Sequence, residues 1–207
     1  MALVWLPIDD KLLDASLGFA AASWERADLD ASWAAAGWYV PGSGSLADGL
    51  FDEFEQRQST GDRFVSIGLN ADCTSIVAVT VEFATFVDPD EDDDSEPLVT
   101  PDKLDVGWSG LPEGTRADFD EVWRAAVETV TARLGPPAVV GMHDEQWHHA
   151  IWRVGEVLVA LVQGEHMDTY GFWDEAALWI VPRPADAPIP AGRELYDVMW
   201  GPVGQPG

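Results

Sequence analysis

DFDEVWRAAVETVTARL, residues 118–134, and AIWRVGEVLVALVQ, residues 150–163, decide the fold of this chain. In the first segment apolar side chains recur at helical spacing and most charged side chains fall outside their stripe, which predicts an amphipathic helix. Asp118, with Glu121 three residues later, is the predicted N-cap. Gly135 and the two prolines after it predict the end of the helix.

The second segment predicts a tight β-hairpin. Two β-rich runs are split by Gly155 and Glu156, and a third run over 176–181 stops at Pro182. Residues 157–162 are apolar without alternation. This pattern predicts a strand that is covered on both faces or central in its sheet.

The remaining chain supplies shorter elements around this centre. They are predicted as a short strand or an extended lead-in at 3–8, a helix capped by Asp9 or Asp10, a helix over 28–36, and strands at 64–69 and 75–86. We therefore expect a single α+β domain over residues 1–182. Its sheet should be mostly antiparallel, with about five strands and helices packed on one face.

Two segments differ in composition from that domain. Residues 88–97 are predicted to form an acidic, solvated loop inserted into it. This loop includes Asp90, Glu91, Asp92, Asp93 and Asp94. Residues 183–207 carry five prolines and are predicted to form an extended C-terminal tail, with one or two helical turns over 193–200 that dock on the domain.

The charge balance limits the possible partners. Among 207 residues, 37 are acidic and 11 are Lys or Arg, so the formal net charge is −26. Such a field repels nucleic-acid phosphates and anionic lipid headgroups, and it attracts a basic protein. The alternative is that the acidic surface only keeps the protein soluble. The oligomeric state is left open.

Cys73 is the single cysteine, which excludes an internal disulfide and a cysteine-rich metal site. The N-terminus has no basic start or cleavage signal, and no run approaches eighteen apolar residues. A cytoplasmic protein is expected. No cofactor motif is found. The glycines near residue 43 do not form a phosphate-binding motif, because they lack the lysine that follows the glycines in such a loop.

Histidines and tryptophans are the candidate functional residues. His143, His148 and His149 lie in a segment read as a connection, and their spacing matches no compact zinc motif, so a polar surface loop is favoured over a metal site. Trp108, Trp147 and Trp173 are placed in loops, where tryptophans can anchor a protein interface or cap a sheet edge. No catalytic residue is assigned.

A set of packing motifs gives the chain a resemblance to known proteins. The motifs are W-x-P from Trp5, Ala36-Gly37-Trp38, Leu134-Gly135-Pro136, Ile151-Trp152-Arg153 and Leu178-Trp179. The pattern resembles small actinobacterial proteins, some of which look like immunity proteins of secreted polymorphic toxins. The order of helices and strands is also similar to secretion-chaperone-like folds.

These observations lead to three functional expectations. The first is a non-enzymatic, acidic cytoplasmic binding protein, most concretely an immunity-type inhibitor of a toxin with a basic active-site cleft. Its partner-binding candidates are the five acidic loop residues and the three loop tryptophans. The alternatives are a secretion chaperone for a client protein and a metal-dependent hydrolase that uses the region from His143 to His149.

Overall fold

The computed structural model describes residues 3–38, 57–59, 63–69, 75–87, 104, 107–165 and 173–200. The described residues form nine strands and four helices. In order these are β1 (Leu3–Trp5), α1 (Asp10–Ala21), α2 (Arg26–Ala35), β2 (Arg57–Ser59), β3 (Phe64–Leu69), β4 (Ile76–Phe86), β5 (Ser109–Leu111), α3 (Arg116–Leu134), β6 (Val139–His143), β7 (Trp147–Val154), β8 (Val157–Glu165), β9 (Asp174–Pro182) and α4 (Arg193–Trp200).

All described strand pairs are antiparallel and belong to one sheet. Its main order is β2-β3-β4-β9-β8-β7-β6, and β1 joins β4 to β5. The α+β class and the antiparallel pairing are confirmed. The predicted count of about five strands is wrong, because nine are described. The missed strands β2 and β5 have three residues each, too few to show a period of two, and β6 follows two prolines.

The N-cap of helix α3 lies three residues earlier than the predicted cap, Asp118. Thr115 is the N-cap, and its backbone N–H donates to the Asp118 carboxylate at 2.8 Å while the Thr115 hydroxyl accepts from the Asp118 N–H. This reciprocal capping box satisfies two backbone donors and places Asp118 at the third helical position. The predicted end is confirmed at Gly135, which has φ of 81°. No helix in the described ranges has the length and apolar content needed to cross a bilayer.

One face of the sheet, called here the helical face, packs against α1, α2 and α3. Phe119, Trp123 and Val130 point from α3 into this core, and each is at most 5% exposed. The Trp152 indole N–H on β7 donates to the Gly135 carbonyl at 2.8 Å, which ties the end of α3 to the sheet.

The opposite face, called here the tail face, is covered by residues 183–200. Arg153 on β7 donates to the carbonyls of Pro184 and Ala187 at 3.0 and 2.7 Å, and Leu195 and Tyr196 of α4 are buried. The predicted docking of 193–200 is confirmed. The expectation of helices on one face alone is wrong, because the apolar side chains of β8 alternate between two buried cores and the second core needs its own cover. The prediction that β8 is covered on both faces is confirmed.

Candidate functional site

The segment from His143 to His149 is a β-hairpin and was wrongly predicted as a connection. β6 ends at His143 and β7 begins at Trp147, with the Gln146 N–H bonded to the His143 carbonyl. Asp144 and Glu145 both adopt left-handed backbone conformations, with φ of 48° and 61°. Turns of this handedness usually carry asparagine or glycine, so Asp-Glu gave no hairpin signal in the sequence.

Strand alternation sends neighbouring histidines to opposite faces of the sheet. His148 lies on the helical face, where its ring stacks on Trp123 with centroids 5.1 Å apart. His149 lies on the tail face with His143, and both rings contact Tyr196 of α4. Adjacency in sequence is therefore the wrong guide to which histidines act together.

Four rings on the tail face form what we call the aromatic cluster: His143, Trp147, His149 and Tyr196. Their centroids lie 4.7–6.5 Å apart in the contacting pairs. The Tyr196 hydroxyl donates to the Gln163 carbonyl at 2.6 Å. Burial raises the pKa of Tyr196, and the Asp144 carboxylate raises it further, so the phenol is neutral at physiological pH. The cluster anchors α4 to the sheet.

His149 is held between the sheet and the tail. The Gly192 N–H donates to its Nε2 at 3.3 Å, so the proton of the neutral ring is on Nδ1. Nδ1 is buried, and no described group bonds to it. A Cβ added to Gly141 would lie 2.5 Å from Nε2, so only glycine leaves room for the ring. Burial lowers the pKa of His149, and the nearby His143 and His148 lower it further.

A network of ion pairs and hydrogen bonds lies next to the aromatic cluster and links α3 to β8, to β9 and to the turn before β7. Arg116 forms ion pairs with Asp174 and with Asp120, and its guanidinium also donates to the Gln146 carbonyl at 2.5 Å. Burial raises the pKa of Asp174, although Arg116 opposes the rise by favouring the charged carboxylate. Gln163 donates to Asp120 at 3.2 Å and accepts from the backbone of β7 at 3.1 Å.

The alternative of a metal-dependent hydrolase rested on the histidines from His143 to His149 as possible metal ligands. Among the described residues no three His, Cys, Asp or Glu side chains are grouped so that they could hold a metal ion. His149 Nε2 accepts from the tail, and His143 Nε2 lies 3.3 Å from Asp144. These contacts serve to fix the tail and the turn. Cys73 lies outside the described residues.

A groove on the helical face is a candidate binding surface. It has a volume of about 300 Å³ and lies between β1, β5 and the exposed side of α3. Its apolar lining includes Trp5, Phe83 and Val122, and its acidic side chains are Asp118 and Glu121. Glu121 pairs with Arg124 at an exposed position, whereas hydrogen bonds from Thr115 lower the pKa of Asp118 and keep it ionised.

Two of the predicted interface tryptophans, Trp108 and Trp147, lie far apart in the sheet. Trp108 precedes β5, and four strands, β1, β4, β9 and β8, lie between β5 and β7, the strand that carries Trp147. Trp147 was placed in a loop, but it lies in a strand and is 8% exposed. Trp108 and Trp173, the latter just before β9, are both partly buried. The acidic candidates Asp90, Glu91, Asp92, Asp93 and Asp94 lie outside the described residues.

Sequence reasoning missed the groove because its wall combines residues 3–8 and Phe83 with β5 and α3, which follow much later in the chain. One local pattern in α3 did indicate the groove. Val122 and Ala125 extend the apolar stripe of the helix beyond the positions that are buried in the core. Trp5 was noted only as part of a packing motif. No protein-family model, curated protein sequence or solved structure matches the chain.

Proposed function

We propose that the protein is a non-enzymatic cytoplasmic binding protein that captures a basic protein partner. In its most concrete form it is an immunity-type inhibitor that occludes the basic active-site cleft of a toxin. The groove between β1, β5 and α3 is the proposed docking surface, and its occupant is an apolar side chain of the partner that is flanked by Lys or Arg.

The observation that carries this proposal is an apolar groove with acidic side chains on a chain of net charge −26. Its volume of about 300 Å³ is at the lower end of the range for ligand pockets, roughly 300–1,000 Å³, and suits one or two inserted side chains. Trp5 supplies a partly buried aromatic wall, the kind of surface on which interface anchors pack.

Charge supports capture in two steps. The excess of 26 negative charges speeds the encounter with a cationic surface over distances comparable to the Debye length, about 10 Å in 0.1 M salt. At contact, a cation of the partner can displace Arg124 from Glu121, since both side chains are more than half exposed and such pairs contribute little to stability. Burial of the apolar anchor then supplies the binding energy.

The test uses an amphipathic helical peptide with leucines on one face and arginines on the other, and a counterpart with glutamate in place of arginine. Fluorescence anisotropy should show binding of the basic peptide alone, weakened when salt rises from about 50 to about 500 mM. Glu121→Arg should weaken binding by about tenfold or more, because it adds repulsion beside the groove.

Glu156→Arg is the matched control. It makes the same charge change at an exposed turn between β7 and β8, outside the groove. Equal weakening by both variants would mean that only net charge matters, and the groove would lose its proposed role. The immunity-type form is tested by the neighbouring genes: an adjacent toxin gene supports it, whereas an adjacent secretion-system gene supports the chaperone alternative.

A further inference from the structure

Strand β6 exposes apolar side chains at the edge of the sheet. No described strand pairs with its outer side, and the strand order ends there. Val140 is 63% exposed and Met142 is 49% exposed, and they lie two residues apart on the helical face of the sheet. All five residues of β6 are paired in register with β7, so the strand is held firmly on its inner side.

The other described edges are built differently. β2 and β5 have three residues each, and very short edge strands are a common protection against further pairing. β6 has five residues and reads VVGMH, with no lysine or proline. In an edge strand, alternate backbone N–H and C=O groups point outward. An edge strand that is apolar and carries no lysine or proline can therefore pair with a further strand.

The charge beside this edge indicates what kind of strand would pair with it. Asp144 and Glu145 follow β6 directly, and both side chains are exposed. Arg116 reaches the same turn, but its charge is matched by Asp174 and Asp120. The end of the edge therefore keeps a negative potential that favours lysine or arginine in an incoming strand.

We propose that β6 is a strand-addition site for an extended, basic segment of a protein partner. Apolar side chains of that segment would pack beside Val140 and Met142, and its cationic side chains would lie near Asp144 and Glu145. The basic character of the partner rests on the function proposed above, whereas the site is separate from the groove.

A second copy of this chain is the competing occupant. Antiparallel pairing of two β6 strands centred on Gly141 would place Val140 opposite Met142 of the other copy, which suits the apolar side chains. It would also bring together two chains that each carry a net charge of −26. That repulsion disfavours self-association and leaves the basic segment as the better occupant.

The test uses a peptide of alternating valine and arginine and a second peptide of the same sequence that is N-methylated at its backbone. N-methylation removes the N–H donors while charge and side chains stay the same. Strand addition requires those donors, so the methylated peptide should bind at least about tenfold more weakly in fluorescence anisotropy. Equal affinities for the two peptides would overturn the proposal.

Variants of the protein locate the bound peptide. Val140→Lys puts a cation at the edge and should weaken binding about tenfold or more, and Val140→Thr, which keeps a β-branched side chain, should weaken it less. Both are expected to fold, because Val140 is mostly exposed, and a thermal melt checks this. Leu111→Lys on β5 is the control for binding in the groove. It makes a similar change at an exposed residue that lines the groove and lies outside β6.

Hydrogen exchange measured by mass spectrometry distinguishes the remaining outcomes. The expected result is slower exchange over 139–143 on binding of the peptide. Slower exchange only in β1 and α3, with binding lost in Leu111→Lys, would overturn the strand-addition site and leave the proposed function standing. Peptide-independent dimers in sedimentation that disappear in Val140→Lys would assign β6 to a second copy and overturn the proposal as well.

Discussion

The two faces of the sheet are closed by different kinds of interaction. On the helical face, α1, α2 and α3 bury a continuous apolar core. On the tail face, a smaller apolar core is covered by a tail that polar contacts hold in place: the bonds of Arg153 to tail carbonyls, of Tyr196 to Gln163 and of Gly192 to His149. Apolar packing resists opening cooperatively, whereas a few polar contacts can be released locally.

This difference bears on where partners can bind without unfolding the protein. The groove and the exposed side chains of β6 both lie on the helical face, beside its rigid core. A docking surface on a rigid element loses little conformational entropy on binding. The tail face carries His149, whose pKa is lowered by burial, so the stability of this face should depend on pH.

The largest expected effect is on the helical face. Trp123 is central in α3, 5% exposed, and stacks on His148. Trp123→Ala should leave a cavity and cost about 3–5 kcal/mol of unfolding free energy, as for other large-to-small core changes. Urea denaturation measures the cost. Glu128→Ala, an exposed change on the same helix, should stay within about 0.5 kcal/mol. Comparable losses in the two variants would contradict the assignment of this core.

A smaller and local effect is expected on the tail face. Arg153→Met keeps an apolar stem but removes the donors to Pro184 and Ala187, and should cost about 1–2 kcal/mol because water can reach part of that site. Hydrogen exchange should rise over 183–200 and stay unchanged in α3. Arg153→Lys should fall between, since an ammonium cannot reproduce the planar fork. Faster exchange throughout the protein would show that the two faces open together.

The sequence predicted the helical face better than the tail face for a physical reason. A long amphipathic helix and a continuous apolar strand carry strong local periodicity, so α3, β8 and the hairpin between β7 and β8 were all recognised. The tail is placed by contacts between residues more than thirty positions apart, such as Arg153 with Ala187, which leave no local pattern. Docking of residues 193–200 was predicted from the sequence. The face of the sheet that this segment covers was not predicted.

In the candidate site, too, some features were predictable from the sequence and others were not. Residues were recognised by type, so the histidines and Trp147 were noticed, but their grouping depends on a hairpin turn that the Asp-Glu sequence conceals. Tyr196 lies in the segment 193–200 that was predicted to dock, and its contacts with the histidines were not predicted. The groove and the exposed edge of β6 arise from chain crossings and strand order, which no short stretch of sequence encodes.

The smallest expected effect is a pH dependence that comes from His149. Burial, and then His143 and His148, hold its pKa below the ordinary value of 6.5 in the folded protein. As pH falls through 6.5 the unfolded chain therefore takes up a proton before the folded chain does, and stability decreases until the pH passes the folded pKa. Protonation at Nε2 would also remove the acceptor for the Gly192 N–H.

His149→Gln tests this effect because a glutamine oxygen can still accept the Gly192 N–H but cannot titrate. Urea denaturation of wild type and variant between about pH 7.5 and about pH 5.5, above the range where most carboxylates protonate, should give a shallower loss of stability in the variant. In wild type, hydrogen exchange at the lower pH should rise first over 192–200, the segment that His149 helps to hold. An identical pH slope in both proteins would mean that the ring is not buried against the tail, and that the difference between the two faces does not extend to their response to acid.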